Sequence, residues 1–274
     1  MAINDPQSAP DNPPYSIGVA LSGGGARGIA HAGALAAIEE AGFRPDVIAG
    51  VSAGSVAGAL YAAGVPPMRI VELFDDRGFT DFVKFRPAGG GIFAVDGFRN
   101  FLRHNLAPYR RIEDLPIPLY IGATDFDRGV PAVFDRGELV ERVVASCSIP
   151  IVFRPVKIDG THYVDGGVLR NHPAWIIRPL CRTLIGVNVS PLAPRAKADS
   201  IMGVAMRTYN LMAKANQKTD MELCDISVET PEIAACRTFD LSMRDKVFMS
   251  GYIHTRRALR EAGLWKGLAP TPAK

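Results

Sequence analysis

Short runs of consecutive apolar residues, each closed by glycine, punctuate the first quarter of the chain. Ile17 to Ser22 (IGVALS) is such a run, polar on its N-terminal side and followed by three glycines. That is the pattern of a strand buried on both faces of a parallel sheet. From Ile29 to Ala41 the chain is alanine-rich, Leu35 and Ile38 fall at helical spacing, and Gly42 stops the run, which predicts a helix. The unit then repeats. Asp46 to Ala49 is a second apolar run, Gly50 to Gly54 a second glycine turn, and Ser55 to Ala63 a helix-prone stretch closed by Gly64 and Pro66. Two successive strand, turn and helix units predict an α/β fold with a largely parallel sheet.

The alternation continues with strands over Leu119 to Thr124 and Ala132 to Phe134, a helix over Glu138 to Ser146 and a buried strand over Leu184 to Val189. Val156 to Ile158 and His162 to Val164 read as a hairpin around the turn signal Asp159-Gly160. Gly78 to Phe98 carries Gly89, Gly90 and Gly91 among several phenylalanines and reads as an irregular, mobile apolar loop. After Pro191 come helices over Ile201 to Lys214 and Arg244 to Ala262, around a strand at Ile226 to Glu229. The first of these sets Ile201, Val204, Ala205, Thr208, Leu211 and Met212 on one face, the usual pattern of a helix covering a core.

Composition narrows the function classes. With 47% hydrophobic and 22% charged residues the chain folds, and a formal charge of +3 lacks the basic face of a nucleic-acid binder. Cys147, Cys181, Cys224 and Cys236 are widely spaced, so free thiols and a reducing compartment are expected. Met1 to Tyr15 has four prolines and no apolar core, which excludes a secretory signal and predicts a disordered tail. No apolar run approaches a membrane span, so the expected location is cytoplasmic, at most peripheral to the membrane.

Three motifs carry candidate chemistry. Gly50-Val51-Ser52-Ala53-Gly54 fits G-x-S-x-G between a strand and a helix, where a serine hydroxyl projects from a sharp corner. A small-residue turn packing a helix on a sheet has the same pattern. Gly23-Gly24-Gly25-Ala26-Arg27-Gly28 satisfies G-x-G-x-x-G, but the ribose-binding acid of a dinucleotide site is missing from the second strand. Such a loop can instead offer backbone N–H groups to an oxyanion, with Arg27 adding positive charge, or be only a tight turn. Asp165-Gly166-Gly167 puts a carboxylate at a strand end, and alone is usually just a turn. A metal is not expected, because no H-E-x-x-H or paired-acid spacing occurs. His31, His104 and His162 read as surface or packing residues.

In this order the three motifs, with Ala145-Ser146-Cys147-Ser148-Ile149-Pro150 before the aspartate, resemble the patatin-like phospholipases, lipid acyl hydrolases with a serine-aspartate dyad. The resemblance covers about Ile17 to Pro191. It implies a three-layer α/β/α fold, with the catalytic core over 16–191; the disordered tail over 1–15 and a mostly helical portion over 192–274, packing on the same domain, are read from the residues alone. It implies Ser52 as nucleophile, Asp165 as base and the glycine loop as oxyanion hole, with the Gly24 and Gly25 N–H groups as donors supported by Arg27. The expected substrate is a lipid or fatty acyl ester, with transient membrane-surface contact and no cofactor. Two alternatives stay open: an α/β-hydrolase-type esterase whose triad takes its histidine from His172 or His254, and a catalytically silent lipid-binding member of the fold.

Overall fold

A computed structural model of the chain describes residues 12–88, 90–192 and 199–265. Most of the expected tail lies outside the described residues, and Tyr15 already belongs to the first strand. The strands are β1 (Tyr15–Leu21), β2 (Val47–Val51), β3 (Lys84–Ala88), β4 (Gly91–Ala94), β5 (Leu119–Asp125) and β6 (Val130–Phe134), then β7 (Ile151–Phe153), β8 (Val156–Ile158), β9 (Thr161–Asp165), β10 (Cys181–Asn188) and β11 (Ile226–Glu229). The helices are α1 (Ile29–Glu40), α2 (Ala53–Ala62), α3 (Pro67–Glu72), α4 (Phe79–Phe82) and α5 (Asp96–Asn105), then α6 (Leu139–Ser146), α7 (Ala174–Ile177), α8 (Ile201–Ala215), α9 (Lys218–Met221) and α10 (Arg244–Glu261).

The central sheet has the order β11-β10-β1-β2-β5-β9-β8, parallel from β11 to β5, with β6, β9 and β8 antiparallel. Period-two alternation divides its core between two faces. Val19, Leu21 and Ile48 join the larger cluster with α1, α2, α6 and α10, while Ala20, Val47 and Ala49 pack with α7 on the other face. The result is the three-layer α/β/α arrangement. Helix α1 is apolar nearly all round because it is sandwiched between the sheet and α10. The two helices cross in backbone contact: a Cβ on Gly251 would meet the Ala30 carbonyl oxygen, and one on Gly33 the Phe248 carbonyl oxygen.

Strand β5 decides where the catalytic candidates go. Gly122 pairs with Val51 and Val133, and the next residue, Ala123, pairs with Asp165 and Ala132. Since β6 holds one edge of β5 from Ile121 to Asp125, β2 and β9 occupy the other edge in succession, one running toward the junction from each side. Parallel β2 therefore ends where antiparallel β9 ends, and Ser52 and Asp165 emerge at the same point of the sheet.

Two expectations are corrected here. Gly78 to Phe98 is not an irregular loop: it forms α4 and a β3-β4 hairpin, and β4 pairs with β7 to complete a three-stranded second sheet. Gly89 lies outside the described residues. Phe82 turns inward and meets Phe74, Phe98 and Phe101 through tilted and edge-on contacts, so part of the aromatic set that suggested a mobile loop instead fixes it to the core. Helix α8 does cover the core, but through Met202, Met206, Tyr209 and Ala213 and not through the expected face, whose Ile201, Val204, Leu211 and Met212 are exposed. Within it only Ala213 is fully buried, and Ile201 is 86% exposed.

Candidate active site

Ser52 stands between β2 and α2 with φ 51° and ψ −122°, a left-handed φ that a non-glycine residue adopts only under constraint. The constraint is visible on both sides. A Cβ on Gly54 would lie 2.1 Å from the Leu21 carbonyl oxygen, and one on Gly50 2.4 Å from the Gly54 carbonyl oxygen. The turn thus crosses the end of β1 in direct backbone contact, and only glycine fits at either position. The Ser52 carbonyl accepts the first bonds of α2 from the Ser55 and Val56 N–H groups, and its own N–H donates to Ser146 Oγ at 2.8 Å.

Ser146 is the residue that sequence reasoning left without a role. Its hydroxyl donates to the Gly122 carbonyl at 2.7 Å while accepting the Ser52 N–H, so it links α6, β5 and the elbow. Two residues on, the Ser148 carbonyl accepts the Asp165 N–H at 2.9 Å. The stretch Ala145 to Pro150 therefore holds the backbones of both candidate residues. Its small polar residues at the end of a helix were the only signal.

Asp165 is fully buried. Its Oδ1 accepts the Gly167 N–H at 2.8 Å, whereas Oδ2 is buried without a hydrogen bond of good geometry. Burial pushes the carboxyl pKa up to about 6, against the opposing pull of the Ser52 hydroxyl, the Gly167 N–H and the Tyr209 hydroxyl. Gly166 fits at the β2/β9 junction because a Cβ there would meet the Gly122 carbonyl oxygen at 2.8 Å. Tyr209 comes from α8, beyond the recognised motifs, and its hydroxyl lies over Gly167. A single tyrosine on an apolar helix gave no sequence signal.

In the glycine loop, the Gly23 N–H is taken by the Asn171 carbonyl at 3.1 Å and the Ala26 N–H by the Thr238 carbonyl at 2.7 Å. Among the described residues the Gly24 and Gly25 N–H groups have no acceptor, and Gly25, at φ 62°, lines the cavity beside Ser52. Arg27, expected to support the loop's donors, reaches the loop through backbone carbonyls. Its Nε donates to the Gly24 carbonyl at 3.1 Å and its Nη1 to the Pro191 carbonyl at 2.8 Å. It holds the loop by its carbonyl side, and Gly28 packs against Ala53 at the start of α2.

Ser52 and Gly25 line an apolar cavity of about 170 Å³ together with Cys147, Phe74, Phe82, Phe98 and Phe153. Cys147 is no rival nucleophile: burial, and then the charge of Asp165, push its thiol pKa up, which keeps it protonated. All four cysteines are free. Among the described residues no histidine hydrogen-bonds Ser52 or Asp165. His254 pairs with Glu232 at 2.9 Å, and both ring nitrogens of His172 are buried without partners, its pKa lowered to about 3 by burial and by nearby His31. Among the described residues no group of three or more metal-ligating side chains exists, and no helix is long and apolar enough to cross a membrane.

A family model described as patatin-like phospholipase matches residues 19–177. An uncharacterized NTE family protein of Mycobacterium tuberculosis is 35% identical over 192 residues, which are 67% of this chain and 52% of that protein. Lysophospholipase NTE1 of Saccharomyces cerevisiae is 32% identical over 197 residues, 69% of this chain and 12% of that protein. The crystal structure of VipD from Legionella pneumophila superposes with a TM-score of 0.50 at 17% identity, covering 93% of this chain and 69% of that one, a likeness of fold. The chain thus spans about half the length of the mycobacterial relative and a small part of the yeast one.

Proposed function

This chain belongs to the patatin-like phospholipase family, and from that premise we propose that it is a serine acyl hydrolase acting on fatty acyl esters of phospholipids or lysophospholipids through Ser52 and Asp165. The observation that carries this reading is a strained serine that lines an apolar cavity and has a fully buried carboxylate beside it. Ser52 Oγ attacks the ester carbonyl carbon as its proton passes to Asp165, and the carbonyl oxygen becomes an oxyanion facing the Gly24 and Gly25 N–H groups. Collapse breaks the bond to the leaving alcohol, which takes the proton from Asp165. Water then attacks the acyl-enzyme with Asp165 again as base, releasing the fatty acid and restoring Ser52.

A carboxyl with a pKa near 6 suits this work, since it is ionised at neutral pH yet more basic than an exposed aspartate. The apolar lining favours an acyl chain over a polar group. The name of the yeast relative makes single-chain lysophospholipids the first substrates to test. Purified protein is expected to release free fatty acid from lysophosphatidylcholine, and from short-chain esters at neutral pH. No release from lysolipids, diacyl phospholipids and short esters alike contradicts the proposal and favours a silent lipid-binding member of the fold.

The carboxylate's surroundings give a second expectation. Wild-type kcat/KM should fall about tenfold for each pH unit below about 6, because protonation removes the base. In Tyr209→Phe the hydroxyl that favours the ionised form is lost, so the acid limb should move to higher pH while activity on the alkaline plateau stays within severalfold. A pH–rate profile unchanged in Tyr209→Phe would separate Tyr209 from the base.

A further inference from the structure

We propose that the outward face of α8, together with Pro150 and Ile151, is the surface by which this protein docks on an anionic lipid bilayer. Ile201 (86% exposed), Val204 (53%), Leu211 (46%) and Met212 (37%) lie along α8, and Ile151 across the groove is 50% exposed. Scattered apolar residues on a surface are ordinary, but a contiguous row on one helix marks an interaction site. Ile151 adds a further oddity: a β-branched residue at φ 72°, a costly conformation, held at the edge of this groove.

Charge selects the occupant. The only charged residues of α8 are Arg207 and Lys214, with Lys218 following, so the helix combines an apolar face with cations and no carboxylate. That combination is the chemistry of a helix lying in the headgroup plane of an anionic bilayer. Among the described residues Asp199, just before α8, is the one acid lining the groove.

A segment shared with the cavity gives the surface its purpose. Pro150 and Ile151 line the groove, and Ile149 and Phe153 of the same short stretch line the cavity beside Ser52, so one segment forms part of the wall of both. Helix α8 is also fixed to the site. Tyr209 lines the groove and reaches Asp165, and the Asn216 side chain donates to the Gly167 carbonyl at 3.0 Å and accepts the Asn171 N–H at 2.8 Å. A bilayer on α8 would hold the cavity near the lipid surface.

The direction of this inference rests on the acyl-hydrolase reading, but its test needs no turnover. Protein carrying Ser52→Ala is sedimented with vesicles of phosphatidylcholine mixed with phosphatidylglycerol, and with vesicles of phosphatidylcholine alone. The expected result is stronger, salt-sensitive binding to the mixed vesicles, weakened on the order of tenfold by Ile201→Glu or Val204→Glu, since each removes one inserted apolar side chain. Ile253→Glu, on α10 at a site about as exposed as Val204, should change nothing. Absence of binding, or binding indifferent to the α8 substitutions, overturns the proposal. So does a dimer that Ile201→Glu dissociates, which would make a second copy of the chain the occupant. With Ser52 restored, Ile201→Glu should still cleave a soluble short ester while losing hydrolysis of vesicle lipid. A protein that binds vesicles but cleaves no ester contradicts the hydrolase reading and leaves the docking surface standing.

Discussion

Ser52→Ala is expected to lower kcat for ester hydrolysis by at least about 10⁴-fold, because Ser52 is the hydroxyl that both lines the cavity and faces Asp165. Ser146 and Ser55 hydroxyls are near but already committed, Ser146 to the Gly122 carbonyl and Ser55 to the Ser52 carbonyl. Cys147 is held as a neutral thiol by burial and by Asp165. The substitution removes one oxygen and keeps the backbone that α2 and Ser146 fix, so the variant should fold with a melting temperature near that of the wild type. Retention of a tenth of the wild-type activity would show that the nucleophile lies elsewhere. Initial rates on one soluble ester, measured beside a thermal melt, decide the matter.

Asp165→Asn should abolish hydrolysis and at the same time stabilise the protein. The isosteric amide cannot accept the serine proton, which gives a loss of the same order as for Ser52→Ala. Stability moves the other way because burial raises the folded-state pKa of Asp165 to about 6, above the ordinary aspartate value of 3.8. Between those values the folded protein holds a proton that the unfolded chain has released, so wild-type stability declines as pH rises from about 4 to 6. The decline is at most ~3 kcal/mol for a shift of about two units. Asparagine carries no charge to bury, so Asp165→Asn should melt above the wild type at pH 8, and the advantage should vanish near pH 4. A variant less stable than the wild type at pH 8 would mean that the carboxylate is compensated by its surroundings. His172→Ala and His254→Ala should retain most activity, since neither histidine bonds to Ser52 or Asp165; a collapse in either would favour a triad.

The chemistry was legible because each motif is local. A glycine that must lie against another backbone, or a serine on a tight corner, marks its own few residues, and Gly50 to Gly54 and Gly23 to Gly28 fold as such turns. What brings Ser52 to Asp165 was not legible, since it depends on β2 and β9 sharing one edge of β5, a matter of pairing between distant segments. The same holds for Gly78 to Phe98. Its glycines and phenylalanines suggested a loop because the strand that pairs with β4 comes from β7, far along the chain. Arg27 could be identified as close to the loop, but not which side of it the guanidinium grips. Periodicity showed that α8 has an apolar face and could not show whether the fold supplies anything to cover it.

Labelling with a fluorophosphonate, read by peptide mass spectrometry, tests the central claim most directly. The reagent phosphonylates an activated serine. A single adduct on Ser52, formed at neutral pH, suppressed as pH falls below about 6 and absent from Asp165→Asn, is the predicted result. An adduct on any other residue, or labelling of Ser52 that persists undiminished in Asp165→Asn, would contradict it.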